Sequence, residues 1–201
     1  MKPYPLYTAE TAKFPADKLL LSVENMLGFV PNVFATLAES EPALRAFMQL
    51  NTQMSETHFT PTEREVIQAA VSVENECSYC VAGHSAFAEM QGVDTNTINA
   101  VRDRDRINDV RLEALQTFSS VLSNSKGVIN KDHLQDFLSA GYTAEQALEV
   151  ILGVCVKTFS NLTNNLIQIP LDEEFVEYRW NPKQSSVDIS NKHKGKHVRT
   201  G

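Results

Sequence analysis

The chain has 201 residues, of which 42% are hydrophobic, so it is long enough to bury one sizeable core. Glycine and proline, at eight residues each, are too sparse for a collagen-like or low-complexity chain. The formal net charge of −7 argues against nucleic-acid binding as the main task. We expect neither a membrane span nor a cleaved signal peptide, because the sequence lacks an apolar run of ~18 residues and a basic-then-apolar amino terminus.

The first part of the chain predicts an extended arm followed by helices. Residues 1–15 contain three prolines with aromatic residues between them, which favours an arm that docks on its own domain or on a neighbouring subunit. Apolar residues at helical spacing then predict helices over 16–28, 33–40, 41–55 and 60–74. Thr60, Pro61 and Glu63 have the spacing of a capping box at the start of the last of these helices.

The second part predicts further helices, over 77–90, 95–101, 109–123, 131–140 and 144–168. The last of these is apolar almost all round, which predicts the central buried helix, with Cys155 in the core. The R-D-R-D-R run at 102–106 is typical of a solvated connection with mixed charge. No segment alternates polar and apolar residues over a strand length, so the sequence predicts an all-α fold.

We expect one domain between two peripheral segments. The arm spans 1–15, the helical domain spans 16–180, and a flexible basic tail spans 181–201. Residues 183–201 have five Lys or Arg residues against a single Asp and few apolar residues, a composition typical of an unstructured segment.

The stretch with the most chemistry is C-S-Y-C-V-A-G-H, at residues 77–84, which holds two of the three cysteines. At ~100° per residue, Cys77, Cys80 and His84 fall on one face of a helix. A helix N-terminus and a nearby imidazole both stabilise a thiolate. We interpret the stretch as a dithiol redox centre with a proton-handling histidine, which fits a reducing cytoplasm better than an oxidising compartment.

Simpler interpretations remain open. A C-x-x-C pair can be half of a zinc site, although no second C-x-x-C or H-x₃₋₅-H pair follows at the usual spacing. The cysteines could also be buried small hydrophobic residues, and Glu65 or His84 could be ordinary solvated or hydrogen-bonded residues. The joint occurrence of an upstream acid, a dithiol, Tyr79 and His84 favours the redox interpretation.

Two motifs carry a resemblance to a known family. The run T-P-T-E-R-E-V-I (60–67) followed by C-S-Y-C-V-A-G-H (77–84) resembles the signature of the AhpD-like, carboxymuconolactone decarboxylase superfamily. The stretches at 28–44 and 149–166 are similar to its peroxidase-related branch, so the resemblance extends over most of 17–176. It implies an AhpD-like helical bundle and assembly into a homo-oligomer, either a trimer or a hexamer.

The resemblance also implies roles for individual residues. The peroxidatic cysteine corresponds to Cys80 and its resolving partner to Cys77. Glu65 and His84 take the acid and imidazole places of a proton relay. Tyr79 stands where some members have histidine; a phenol cannot shuttle protons near neutral pH, but it can orient a neighbouring group by hydrogen bonding.

The activity implied by the resemblance is reduction of hydroperoxides by a dithiol–disulfide cycle, with an external dithiol as reductant and with no cofactor or metal. We expect no nucleic-acid or membrane partner. A lyase acting on a lactone is an alternative from the same superfamily, although such chemistry does not need a dithiol. A non-enzymatic redox sensor and a general thiol–disulfide oxidoreductase are further alternatives.

Overall fold

The computed structural model describes residues 4–182. Its helices are, in chain order, α1 (Ala16–Leu27), α2 (Asn32–Leu37), α3 (Glu41–Ser55), α4 (Pro61–Glu74), α5 (Ser78–Met90), α6 (Thr95–Asp103), α7 (Val110–Ser125), α8 (Lys131–Ser139), α9 (Ala144–Ile167) and a 3₁₀ helix (Glu173–Tyr178). This part of the chain contains no strand, which confirms the predicted all-α fold. No helix in it is long and apolar enough to cross a membrane. The predicted basic tail lies almost entirely outside the described residues.

Local sequence signals account for several helix ends. The predicted capping box is present at α4, where the side chain of Thr60 accepts from the backbone of Glu63 and the Glu63 carboxylate accepts from the backbone of Thr60. Helix α1 ends at Gly28, whose φ of 83° places it in the left-handed region. The described part of the arm docks on its own domain, because the backbone N–H of Tyr7 donates to the carbonyl of Ala35.

Helix α4, rather than α9, is the central helix of the domain. It contacts α5, α6, α7 and α9, and every residue from Glu65 to Val73 is buried. The prediction that residues 144–168 form the central buried helix is therefore wrong. The reason is physical: α4 packs closely through alanine and valine, and its buried Glu63, Glu65 and Ser72 side chains form hydrogen bonds inside the protein. Its polar residues therefore make the helix look exposed in the sequence although it is buried.

Helix α9 buries one face and leaves apolar side chains on the other. Leu148, Leu162 and Leu166 are each more than half exposed. The predicted core position of Cys155 is also wrong, since this thiol is exposed on the same helix. Apolar composition alone cannot distinguish a core face from an apolar surface face.

The R-D-R-D-R run is not simply a solvated connection, as was expected. Arg102 is part-buried and donates from Nη1 to Ser85 Oγ at 2.7 Å and to the carbonyl of Tyr178 at 3.0 Å. Arg104 donates from Nη2 to the carbonyl of Val73 at 2.9 Å. Carbonyls near helix ends need donors, and these arginines supply them.

The absence of a side chain at Gly153 lets α9 approach α4. A Cβ atom at this position would lie 2.6 Å from Cγ2 of Ile67 and 3.4 Å from Cε of Met54. Such a separation is well inside van der Waals contact, so any larger residue would force the two helices apart.

We therefore expect Gly153→Ala to destabilise the protein by about 1–3 kcal/mol, the usual cost of overpacking a core. The measurement is the free energy of unfolding in urea. In an Ile67→Ala background, which removes the clashing methyl group, Gly153→Ala should cost less. Equal costs in the two backgrounds would contradict this account of the close approach.

Candidate active site

A short turn between α4 and α5 brings the two cysteines to the start of α5. Helix α4 ends at Glu74, and Glu76, with a φ of 51°, reverses the chain. Cys77 is the N-cap of α5, and its sulfur accepts from the backbone N–H of Cys80 at 3.4 Å. Both cysteines are free thiols close to the positive end of the helix dipole.

The two thiols differ in their access to ligands. Cys77 is fully buried and does not line the neighbouring cavity, whereas Cys80 is 3% exposed and forms part of the cavity wall. The side chain of Asn164 donates from Nδ2 to Cys80 Sγ at 3.2 Å, and Ser160 Oγ lies 3.8 Å from the same sulfur. A small molecule in the cavity would therefore meet the sulfur of Cys80 first.

The surroundings also separate the acidities of the two thiols. Burial would raise the pKa of Cys80, but the hydrogen bond from Cys77, the charge of Lys157 and the nearby ring of His84 lower it below its usual range. The pKa of Cys77 is raised, first because its proton is held in the hydrogen bond to Cys80 and second because it is buried. The thiolate of the pair therefore belongs to Cys80.

Glu65 and His84 form a buried acid–imidazole pair. Nδ1 of His84 lies 2.8 Å from Oε2 of Glu65, and the amide of Gln91 donates to Oε1 of Glu65 at 2.8 Å. A carboxylate on Nδ1 favours the tautomer with its proton there, which leaves Nε2 as the basic nitrogen. Within residues 4–182, Nε2 makes no hydrogen bond, and both side chains line the cavity beside Cys80.

Tyr79 also lines the cavity, but its hydroxyl makes structural contacts. It donates to Oδ2 of Asp172 and accepts from the backbone N–H of Val33 at 3.2 Å. Asp172 in turn accepts from the backbone N–H of Asn32 at 2.9 Å. Burial and the neighbouring Asp172 carboxylate raise the pKa of Tyr79, so the phenol stays neutral and holds α2, α5 and the segment after α9 together.

The cavity has a volume of about 350 Å³. Four phenylalanines form much of its apolar lining: Phe34, Phe47, Phe87 and Phe175. Its polar lining includes Arg64, Gln68 and Lys157 besides the residues already described. The arrangement combines a nucleophilic sulfur, a base and an apolar compartment, which can support nucleophilic or redox chemistry on a small organic molecule.

Sequence reasoning brought together Cys77, Cys80, Glu65 and His84 but missed residues contributed by distant parts of the chain. Lys157 is 4% exposed and stabilises the Cys80 thiolate. The sequence feature that could have identified Lys157 is that it is the single charged residue in the run V-C-V-K-T-F. Asn164, on the same helix as Lys157, donates from its side-chain amide to the sulfur of Cys80. Among residues 4–182, no group of three or more His, Cys, Asp or Glu side chains could hold a metal ion.

Comparison with known proteins supports the resemblance. Residues 41–108 match the carboxymuconolactone decarboxylase family. The crystal structure of the AhpD core of an uncharacterized peroxidase-related protein from Ralstonia eutropha JMP134 is similar, with a TM-score of 0.76 and 26% identity over 86% of this chain and 93% of that chain. No curated protein has a sequence that matches this chain.

Two more distant structures show the same fold. An uncharacterized peroxidase-related protein from Silicibacter sp. TM1040 has a TM-score of 0.75 and 20% identity, over 86% of this chain and 92% of that chain. The debrominase Bmp8, in complex with 2,3,4-tribromopyrrole, has a TM-score of 0.73 and 20% identity, over 87% of this chain and 94% of that chain.

The charge of Lys157 should control the acidity of Cys80. We expect Lys157→Met to raise the pKa of Cys80 by about 1–2, because an opposite charge close to a thiolate lowers its pKa by amounts of this order. The thiolate would then form only at higher pH, and the shift is measured by ultraviolet absorbance during a pH titration. Lys18→Met, at an exposed lysine on α1, is the control and should leave the titration unchanged. An unchanged titration in Lys157→Met would contradict the assigned role.

Proposed function

Because the chain belongs to the AhpD-like, carboxymuconolactone decarboxylase superfamily, we propose that it reduces organic hydroperoxides by a dithiol–disulfide cycle of Cys77 and Cys80. The observation that carries the proposal is a low-pKa Cys80 at a cavity wall with a second thiol hydrogen-bonded behind it. The family assignment by itself supports the coarser statement of a peroxidase-related or decarboxylase-like function.

In the first step, the basic Nε2 of His84 receives the proton of Cys80, directly or through a water, while Glu65 holds Nδ1 and stabilises the imidazolium. The thiolate attacks the terminal oxygen of the hydroperoxide, and the O–O bond breaks as the S–O bond forms. The product is a sulfenic acid on Cys80, and the leaving alkoxide takes its proton from His84 to become an alcohol.

In the second step, the thiol of Cys77 attacks the sulfenic acid, which releases water and forms a disulfide. An external dithiol then reduces the disulfide and becomes oxidised itself. Each turnover therefore converts one hydroperoxide and one dithiol into an alcohol, water and a disulfide. The cycle needs a reducing compartment such as the cytoplasm, and sulfur carries both electrons.

Cysteine replacements test the cycle. We expect Cys80→Ser to lose turnover of cumene hydroperoxide with a dithiol donor, because the nucleophile is gone. Cys77→Ser should accumulate oxidised Cys80, which mass spectrometry detects as one added oxygen. Cys155→Ser is the matched control, since this cysteine is exposed and does not line the cavity, and it should keep full activity. Wild-type turnover in Cys80→Ser would overturn the mechanism.

Three related measurements separate the alternative functions: repeated turnover with a dithiol, disulfide exchange, and activity on a lactone. A redox sensor oxidises once and then stops even when a dithiol is present, whereas an enzyme continues. A general thiol–disulfide oxidoreductase would exchange disulfides as readily as it consumes peroxide. A lyase would act on a lactone after both cysteines are replaced.

Reductive dehalogenation is a second candidate, favoured by the aromatic lining of the cavity and the fold shared with the debrominase Bmp8. In this reaction the Cys80 thiolate would take the halogen from carbon, and the resulting carbanion would be protonated from His84. Cys77 would then displace halide to give the same disulfide. Halide release from 2,3,4-tribromopyrrole, compared with peroxide consumption at equal dithiol, decides between the two reactions.

Self-association is a further part of the proposal. The exposed apolar side chains of α9, at Leu148, Ile151, Leu162 and Leu166, give this helix an apolar surface that a second copy could cover. We expect a trimer or hexamer in analytical ultracentrifugation, and Leu162→Glu should shift the protein toward the monomer. A wild-type monomer would contradict this expectation.

A further inference from the structure

Two polar side chains of the cavity have little exposed area and make no hydrogen bond or ion pair within residues 4–182. Lys157 is 4% exposed and Gln68 is 7% exposed. Within residues 4–182, neither the ammonium of Lys157 nor the side-chain amide of Gln68 makes a hydrogen bond or an ion pair, and both line the cavity. Buried polar groups normally have partners because an unpaired one costs free energy. These groups are therefore available to the thiolate and to a bound molecule.

The cavity is lined by as many cations as groups that can carry negative charge, but one of its cations has no negatively charged partner. Two cations, Lys157 and Arg64, line it, and two groups can carry negative charge, Glu65 and the Cys80 thiolate. Glu65 already accepts hydrogen bonds from His84 and Gln91. Lys157 lowers the pKa of Cys80 through its charge and so acts as counter-ion to the thiolate.

Arg64 is the cation that remains. It donates from Nη1 to the carbonyl of Phe59 at 2.5 Å, and its other N–H groups have no partner among the described residues. No carboxylate in that part of the chain lies within ion-pair distance of it. Arg64 and Gln68 are four residues apart on α4, so their side chains share one face of the helix and can contact the same group.

The rest of the cavity lining limits the polarity and the size of the ligand. Most of it is apolar and aromatic, which favours a molecule with an apolar ring or chain. A volume of about 350 Å³ is near the lower end of the range for small-molecule sites, which is about 300–1,000 Å³. A compact aryl compound fits this description better than a phospholipid.

We propose that the cavity selects organic hydroperoxides that have a compact apolar body and one carboxylate, with Arg64 pairing with the carboxylate and Gln68 donating to it. This inference rests on the proposed peroxidase function and specifies its substrate class. The hydroperoxide end of such a molecule lies against Cys80 and His84, and the carboxylate lies toward α4. Arg64 acts on the carboxylate and takes no part in breaking the O–O bond.

A matched pair of substrates tests the selection. The carboxylate is 4-carboxycumene hydroperoxide and the neutral compound is its methyl ester, so both present the same O–O bond to the same thiolate. We expect the wild-type kcat/KM to be about tenfold or more higher for the acid, and this ratio to fall toward one in Arg64→Gln. Arg64→Lys, which keeps the charge, should retain most of the ratio.

Arg106→Gln, at an exposed arginine outside the cavity, is the control and should keep the wild-type ratio. Because the ratio compares two substrates in one protein, a general loss of activity in a variant does not move it. A wild-type ratio near one, or an unchanged ratio in Arg64→Gln, would overturn the proposal.

Binding without turnover separates this inference from the proposed function. In a Cys80→Ser background, calorimetry should show 4-isopropylbenzoate binding about tenfold or more tightly than neutral 4-isopropylbenzyl alcohol, with the difference lost when Arg64→Gln is added. If that preference holds while neither hydroperoxide is turned over, the anion site stands and the peroxidase assignment fails. If both hydroperoxides are consumed but the two ligands bind equally in Cys80→Ser, the anion site fails and the peroxidase assignment stands.

Discussion

An ionised sulfur inside an apolar compartment is stable only if charge and hydrogen bonds replace the water that it has lost. At Cys80 these replacements come from three directions. Cys77 supplies a proton donor from the same helix turn, Asn164 supplies an amide, and Lys157 supplies a full positive charge. The fold must therefore hold the start of α5 against one face of α9.

The central position of α4 makes this arrangement possible. Gly153 on α9 admits Ile67 of α4 at close range, which draws the two helices together. Glu65 reaches His84 across the α4–α5 contact, and Arg64 and Gln68 extend from α4 into the same cavity. One buried helix thus contributes to proton handling, to the cavity wall and to the core. These three roles explain why so few residues of α4 are exposed.

The sequence predicted the parts of this site that are local. The spacing of Cys77, Cys80 and His84 follows from helix geometry, and Glu65 lies on α4, the helix that directly precedes α5 in the chain. Lys157 and Asp172 could not be placed in the same way, because which face of a distant helix meets α5 depends on packing between helices. The misplacement of Cys155 has the same origin: an apolar helix does not reveal by its composition which side faces solvent.

The complete burial of Cys77 has a consequence for how the disulfide would be reopened. A thiol that attacks the sulfur of Cys77 would expel Cys80, the better leaving group, but Cys77 is closed off from the cavity. A thiol that enters through the cavity can reach the sulfur of Cys80, but it must then expel Cys77, whose raised pKa makes it a poor leaving group. The peroxide and the reducing thiol would therefore reach Cys80 one after the other through the same cavity. A dithiol on a narrow, flexible arm can enter this cavity, whereas a thiol on a broad protein surface cannot.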